Sequence, residues 1–337
     1  MKICKKCILP ENFKEVTIND DGICSYCQTN TTVAKEVNVT KEQKEAYRKE
    51  IDKIIDANKG KGQYDCVVGY SGGKDSAYLI WKLKNEYQLN VLAVVVDHGY
   101  MPDTTLSNLE SVPQKMGVDT IRYNLNSGYM ERFFKFKFEN YRTKAVFDDM
   151  CADCSNILEG MVIKVAALFG ISLVFIGLSP EQVNRYFYEV PREHLKQDWV
   201  LDIFKKSTYF KSGDEHYSWQ GENMKNDAIK VLLPFHVWDY DEENIVCTLE
   251  EQGLLSAKSS NPLMTRCKIL DTMCYLDQNR IGYDGFIAPF SDLIRLNKAP
   301  RKKYYDMFFG DQYEINMNHV EEVIKRLELD MNSLISK

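Results

Sequence analysis

Residues 67–83 read VVGYSGGKDSAYLIWKL: an apolar run, a turn of small and polar residues, and then apolar residues at helical spacing. This order predicts a strand, a tight turn and a helix. Backbone N–H groups in the turn and at the helix start would surround one anion, and Gly72 and Gly73 would let that anion approach the backbone. Ser71 and Ser76 add hydroxyl donors. The stretch therefore predicts a phosphate-binding turn, although it fits neither G-x-x-x-x-G-K-[ST] nor G-x-G-x-x-G.

The alternation of strand and helix continues along the chain. Predicted strands lie at 64–70, 90–97, 119–125, 171–177 and near 231, and predicted helices at about 75–86, 104–116 and 155–169. Short, nearly continuous apolar strands that alternate with helices are typical of a parallel sheet covered on both faces. We therefore predict an α/β fold with a doubly wound parallel sheet.

The motif S-G-G-K-D-S after the first strand resembles the PP-loop of the N-type ATP pyrophosphatases. The resemblance implies an adenine nucleotide alpha hydrolase-like fold, in which the turn grips the β- and γ-phosphates of ATP. These leave together as pyrophosphate while AMP is transferred to a substrate oxygen. The implied nucleotide-binding residues of the turn are Ser71, Gly72, Gly73, Lys74, Asp75 and Ser76.

The same resemblance implies further contacts at the ends of other strands, where ligands collect in open α/β sheets. Asp97 ends the second strand and would contact the nucleotide. The loop FIGLSPEQ, at 175–182, would present Gly177, Ser179 and Glu181 to phosphate or Mg²⁺, with helix capping as the alternative role for Glu181. Asp75 is the carboxylate expected to face the magnesium ion.

Four cysteines near the start have the spacing of a metal site. Cys4, Cys7, Cys24 and Cys27 form C-x2-C-x16-C-x2-C, which is typical of a tetrahedral Zn²⁺ ribbon whose four thiolates leave no open position. A unit of about 30 residues has little core of its own and would depend on the metal to fold. We therefore expect structural zinc.

Three later cysteines suggest sulfur chemistry. Cys151 and Cys154 precede the predicted helix at 155–169, and a helix N-terminus favours thiolate. Together with Cys267 they could hold a [4Fe–4S] cluster with one open iron. Their order after the phosphate turn resembles that of the tRNA 2-thiolation enzymes, which implies that sulfur displaces AMP and that Cys151, Cys154 and Asp75 are catalytic. A persulfide pair without a cluster and inert packed thiols remain open.

A second resemblance gives a competing nucleophile. Residues 4–27 and 64–100 are similar to N-acetyl sugar amidotransferases of bacterial surface-polysaccharide pathways, as is DLIRLNKAPRKKYYDMF at 292–308. That resemblance implies ammonia supplied by a partner glutaminase. A zinc-ribbon module that binds RNA or protein without catalysis is the third alternative.

Composition limits the partners and the location. The net charge is −6, and no run reaches the roughly 18 apolar residues of a membrane helix. We expect a cytoplasmic enzyme whose acceptor is a small molecule or sugar rather than tRNA, with a glutaminase or a sulfide donor as partner and a homodimer left open. The basic cluster at 295–303 is typical of a solvated face. We expect His98 to be structural and Glu159 to face solvent.

The pattern divides the chain into four regions. We predict a zinc ribbon at 1–35, a linker helix at 36–62, the ATP pyrophosphatase domain at 63–235 and a mostly helical region at 236–337.

Overall fold

The computed structural model describes most of the chain in two compact units. The described residues are 1–14, 16–31, 39–125, 127–140, 146–180, 187–219, 229–260, 265–297, 299–310 and 314–336. The first unit comprises Met1–Val37, Phe134–Ala152 and Lys268–Lys337, and the second comprises Asn38–Phe133 and Asp153–Cys267.

A five-stranded sheet organises the second unit. Its strands are β1 (Cys66–Gly69), β2 (Val91–Asp97), β3 (Asp119–Asn124), β4 (Leu173–Ile176) and β5 (Lys230–Leu232). All neighbours pair in parallel, in the order β3-β2-β1-β4-β5. The predicted doubly wound parallel sheet is confirmed. Because the chain runs outward in both directions from β1, the switch point lies between β1 and β4, where such sheets bind ligands.

Helices occupy most of the remaining described residues. They are α1 (Ser25–Thr29), α2 (Lys41–Asn58), α3 (Lys74–Asn85), α4 (Asp103–Met116), α5 (Ser127–Asn140), α6 (Val146–Leu168), α7 (Arg192–Leu195), α8 (Asp202–Lys205), α9 (Glu242–Glu251), α10 (Ala257–Ser260), α11 (Lys268–Ile281), α12 (Ile287–Arg295), α13 (Arg301–Phe309), α14 (Met317–Leu327) and α15 (Met331–Ser336). The predicted helical C-terminal region is confirmed. None of the described helices combines the length and apolar character that a membrane crossing needs.

The start of α2 shows how local sequence sets these bounds. Thr40 accepts a hydrogen bond from the Gln43 N–H, and the Gln43 side chain accepts one from the Thr40 N–H, which completes a capping box.

The helix predicted at 155–169 begins earlier than expected, because α6 starts at Val146. Buried Met150, Ile157 and Met161 extend the helical apolar period back through the cysteine pair. Cys151 and Cys154 therefore lie inside the helix rather than before it.

Burial of α3 against the sheet fixes the position of the phosphate turn. Leu79, Ile80 and Leu83 are buried in one core with Val68 of β1 and Ala93 of β2. Each such side chain contributes about 1.5–3 kcal/mol when it leaves water. The first turn of α3 is thus held at the carboxyl edge of β1.

Candidate active site

Two serine hydroxyls close the turn between β1 and α3. The Ser71 and Ser76 Oγ atoms lie 3.1 Å apart, and the Ser71 N–H donates to Ser76 Oγ at 3.2 Å. Ser76 Oγ also donates to the Gly73 carbonyl, at 3.2 Å. Gly73 occupies the N-cap position of α3, and no side chain of a described residue caps this helix. The first N–H groups of the helix can therefore donate to a ligand or to water, which is the arrangement that binds anions at helix N-termini.

The conformation of the turn requires glycine at position 72. Gly72 has φ of +78°, and a Cβ there would lie 2.9 Å from Thr105 Cγ2 and 3.1 Å from the Thr105 carbonyl oxygen. The Asn108 amide donates to the Gly72 carbonyl at 2.8 Å, and the Tyr70 hydroxyl donates to the Asn108 carbonyl at 2.9 Å. The turn is thereby anchored to α4.

The segment after β4 closely approaches the same turn. A Cβ on Gly177 would lie 3.1 Å from Ser76 Cα and 3.2 Å from Ser76 N. Ser179 is buried, with 2% of its surface exposed. The structure therefore brings Gly177 against the first turn of α3, while Glu181 lies outside the described residues.

A cavity of about 380 Å³ lies at the carboxyl edge of the sheet, around this turn. Its lining combines residues of the turn with the ends of β2 and β4, one side of α6 and the segment that ends at Cys267. The lining includes Ser71, Lys74, Asp75, Ser76, His98, Glu159, Gly177 and Cys267.

Two residues that were predicted to have no role in the site, Glu159 and His98, line this cavity. Glu159 lines it instead of facing solvent, because the helix face that carries Ser155 and Val162 also carries Glu159. His98 is buried, and its Nδ1 accepts the Tyr100 N–H at 3.2 Å. A neutral imidazole that accepts at Nδ1 carries its proton on Nε2.

Asp97 is held as an anion at the end of β2. Burial on its own would raise the pKa of this carboxyl. The hydrogen bonds from Arg122 (2.5 Å) and from the Gly99 N–H (2.7 Å) outweigh burial and lower it below the ordinary value. Asp97 precedes cavity-lining His98 by one residue.

Lys74 and Asp75 form a network with residues that sequence reasoning had missed. Lys74 Nζ lies 2.9 Å from Asp75 Oδ2 and 3.5 Å from Glu242 Oε1. The Tyr240 hydroxyl donates to Asp75 Oδ1 at 2.8 Å. Tyr240 and Glu242 belong to the polar sequence DYDEEN at 239–244, which directly follows the buried stretch after β5.

Cys154 and Cys267 are close enough to influence each other. Burial raises the pKa of the Cys154 thiol, and a charge on Cys267 raises it further. The expectation that a helix N-terminus lowers this pKa is wrong, because α6 begins eight residues before Cys154. Cys151 is half-buried and is counted with the first unit, so its place in a three-cysteine set stays a prediction.

The four N-terminal cysteines form a buried cluster in the first unit. Their sulfur atoms all lie within 4.8 Å of one another, which fits the tetrahedral thiolate set of a zinc ribbon. Hydrogen bonds with the Cys24 thiol lower the pKa of Cys4 and raise the pKa values of Cys7 and Cys27. The hydrogen bond between Cys24 and Cys27 lowers the pKa of Cys24 to about 7. The four thiols are thus close enough for each to change the pKa of the others.

Two arginines of the predicted basic cluster stabilise this site. Arg301 donates to the Cys7 carbonyl at 2.7 Å and to the Cys4 carbonyl at 2.9 Å. Arg295 is buried, pairs with Asp292 and lies over the Tyr26 ring. The expected solvated face is therefore wrong for these two residues.

Known proteins are similar in sequence to parts of this chain. No family model matches the chain. An uncharacterized protein of Methanocaldococcus jannaschii is 28% identical over 177 residues, 52% of this chain and only 58% of that protein. The tRNA-specific 2-thiouridylase of Nitratiruptor is 22% identical over 267 residues, 77% of each chain. The U34-tRNA thiolase of Methanococcus maripaludis, solved with its [4Fe–4S] cluster, is 14% identical over 98% of this chain and 89% of that chain, with a TM-score of 0.38.

The turn between β1 and α3 lies at the switch point of the parallel sheet, which is where such folds bind ligands. The sheet and the turn agree with the resemblance to the PP-loop ATP pyrophosphatases that the sequence shows.

Proposed function

We propose that this protein adenylates an oxygen of its acceptor with ATP, releases pyrophosphate, and then replaces the adenylated oxygen with sulfur. One observation carries the choice of sulfur: the Cys267 thiol lines the same cavity as the phosphate turn. The relative from Nitratiruptor is a tRNA-specific 2-thiouridylase, which supports the same chemistry.

The residues of the turn would bind the leaving pyrophosphate. The N–H groups at the start of α3 and the hydroxyls of Ser71 and Ser76 are donors for phosphate oxygens, and Lys74 adds positive charge. The Asp75 carboxylate and these hydroxyls are the hard oxygen ligands that Mg²⁺ prefers, so the donor set fits that ion. Bound Mg²⁺ would neutralise charge on the leaving group.

The chemistry would proceed by two displacements. The acceptor oxygen attacks the α-phosphorus of ATP, and the bond to pyrophosphate breaks with its electron pair leaving on pyrophosphate. A sulfur nucleophile then attacks the acceptor carbon, and the C–O bond to AMP breaks. Adenylation is needed because it converts a poor leaving oxygen into a good one.

Cys154 and Cys267 would hold the sulfur source near this carbon. Thiolates are the ligands of iron–sulfur clusters, and the proximity of these two thiols fits part of a ligand set. Cys151 is the proposed third ligand. A bound [4Fe–4S] cluster would supply an open iron for sulfide, and a sulfide donor would be the partner.

A small acceptor suits the charge of the chain better than tRNA does. The net charge is −6, and Arg301 of the basic cluster is engaged with the cysteine carbonyls. We therefore place a small molecule or sugar before RNA as the acceptor, and structural zinc at the N-terminal cysteines.

A second candidate is amidation by ammonia from a glutaminase partner. The half-buried Cys154 thiol, whose pKa burial raises, fits a packing group, which favours this candidate. On this alternative the cysteine pair has no role in the reaction.

Iron and sulfide analysis after anaerobic purification separates the two candidates. Thiolation predicts bound iron and sulfide that Cys267→Ala removes, together with release of AMP that depends on sulfide. Cys247→Ala is the matched control, because that cysteine is exposed and hydrogen-bonds to Glu251. Iron-free protein in which Cys267→Ala keeps full activity with ammonia would overturn thiolation and favour amidation.

A further inference from the structure

The side chain of Lys74 is enclosed by partners from two parts of the chain. Asp75 is its neighbour on α3, whereas Tyr240 and Glu242 come from the segment that starts α9. Lys74 Nζ contacts all three, at 2.9 Å from Asp75, 3.4 Å from the Tyr240 hydroxyl and 3.5 Å from Glu242. Only 10% of the lysine side chain is exposed.

The partner segment is itself held rigidly. Asp241 caps α9 by accepting hydrogen bonds from the N–H groups of Glu243 and Asn244. The Tyr240 ring packs edge-on against buried Phe235, with ring centroids 5.5 Å apart. Glu242 is therefore presented to Lys74 by a capped helix start and a packed ring rather than by a loose loop.

We propose that Glu242 is a positioning residue. Together with Asp75 it forms a carboxylate cage that holds the Lys74 ammonium group until the triphosphate of ATP replaces Glu242 as the partner of Lys74. The proposal rests on the proposed function, because it assigns Lys74 to the phosphates of ATP. Asp75 could also be a ligand of Mg²⁺, whereas Glu242 acts on Lys74 through its charge. Each phosphate that reaches Lys74 must compete with the Glu242 carboxylate, so this residue sets the affinity for ATP.

The test is nucleotide binding by Glu242→Gln, with Glu243→Gln as the matched control. Glu243 is exposed in the same first turn of α9, so its replacement removes the same charge from the same helix end without touching Lys74. The probe is a nonhydrolysable ATP analogue with Mg²⁺, titrated by calorimetry. Because Glu242→Gln removes a partly exposed ion pair that competes with the phosphates, this variant should bind the analogue about threefold to fivefold more tightly than the wild type. Glu243→Gln should bind it as tightly as the wild type.

A second measurement needs no nucleotide and so separates this proposal from the proposed function. Acylation of Lys74 by an amine-reactive ester, followed by mass spectrometry, reports how closely its amine is held. Glu242→Gln should be acylated several times faster than the wild type or Glu243→Gln, even if none of them binds ATP. Unchanged acylation, or weaker analogue binding by Glu242→Gln, would overturn the proposal, and weaker binding would make Glu242 a ligand of the metal.

Discussion

Gly177→Ala tests whether the segment after β4 positions the phosphate turn. The added Cβ would lie 3.1 Å from Ser76 Cα, 3.2 Å from Ser76 N and 3.3 Å from Leu79 Cδ2, all closer than ordinary van der Waals contact. Two of these atoms are backbone atoms of α3 and cannot rotate away. Gly177 does not have a positive φ, so the effect is steric rather than conformational. Overpacking of this kind costs about 1–3 kcal/mol.

The strain should appear in the binding of ATP as well as in stability, because relief requires α3 to shift at Ser76. About 1.4 kcal/mol of the strain expressed at the site would weaken the affinity for an ATP analogue about tenfold. Calorimetric titration and urea unfolding measure the two effects. Gly62→Ala is the control, since its nearest neighbour would lie 3.6 Å away. Gly177→Ala that binds the analogue as tightly as this control would refute the reasoning.

Three further predictions concern other contacts. Arg301→Gln loses the paired hydrogen bonds to two cysteine carbonyls and should release zinc to a chromogenic chelator faster than the wild type, whereas exposed Lys302→Gln should not. Arg122→Gln should unfold in acid at a higher pH, as followed by circular dichroism. The fold lowers the pKa of Asp97, so the ionised carboxylate stabilises the fold above the ordinary pKa of 3.8. This stabilisation is lost as the pH falls through the lower pKa of the folded protein. The substitution raises the pKa of Asp97 in the folded protein, so the loss occurs at a higher pH. Tyr240→Phe removes the 2.8 Å hydrogen bond to the carboxylate of the turn and should raise the Mg²⁺ concentration needed for half-maximal activity; an unchanged requirement would contradict that role.

Local patterns were sufficient to predict the sheet and the turn. The apolar runs at 66–69, 91–97 and 173–176 are short, continuous and β-branched, and few structures other than buried parallel strands suit them. The glycine pair at 72–73 marks a tight turn for reasons of backbone geometry alone, and the φ of +78° at Gly72 is the conformation that such a residue supplies.

Contacts between distant parts of the chain could not be predicted in this way. Tyr240 and Glu242 lie more than 160 residues from Lys74, and nothing in their own sequence shows that the chain returns to the turn. Arg301 lies 294 residues after Cys7, and its charge looked like that of any surface arginine. The start of α6 was missed for a different reason, because its apolar period already includes buried Met150, which precedes the predicted helix.

Analysis of the nucleotide products tests the central claim most directly. The protein is incubated with Mg²⁺, α-labelled ATP and sulfide, with small-molecule extract and tRNA supplied separately as acceptors, and the products are separated by chromatography. The account predicts AMP and pyrophosphate in equal amounts, and loss of both in Ser76→Ala, which removes the hydroxyl that closes the turn. ADP and phosphate as the products, or full AMP formation by Ser76→Ala, would contradict it.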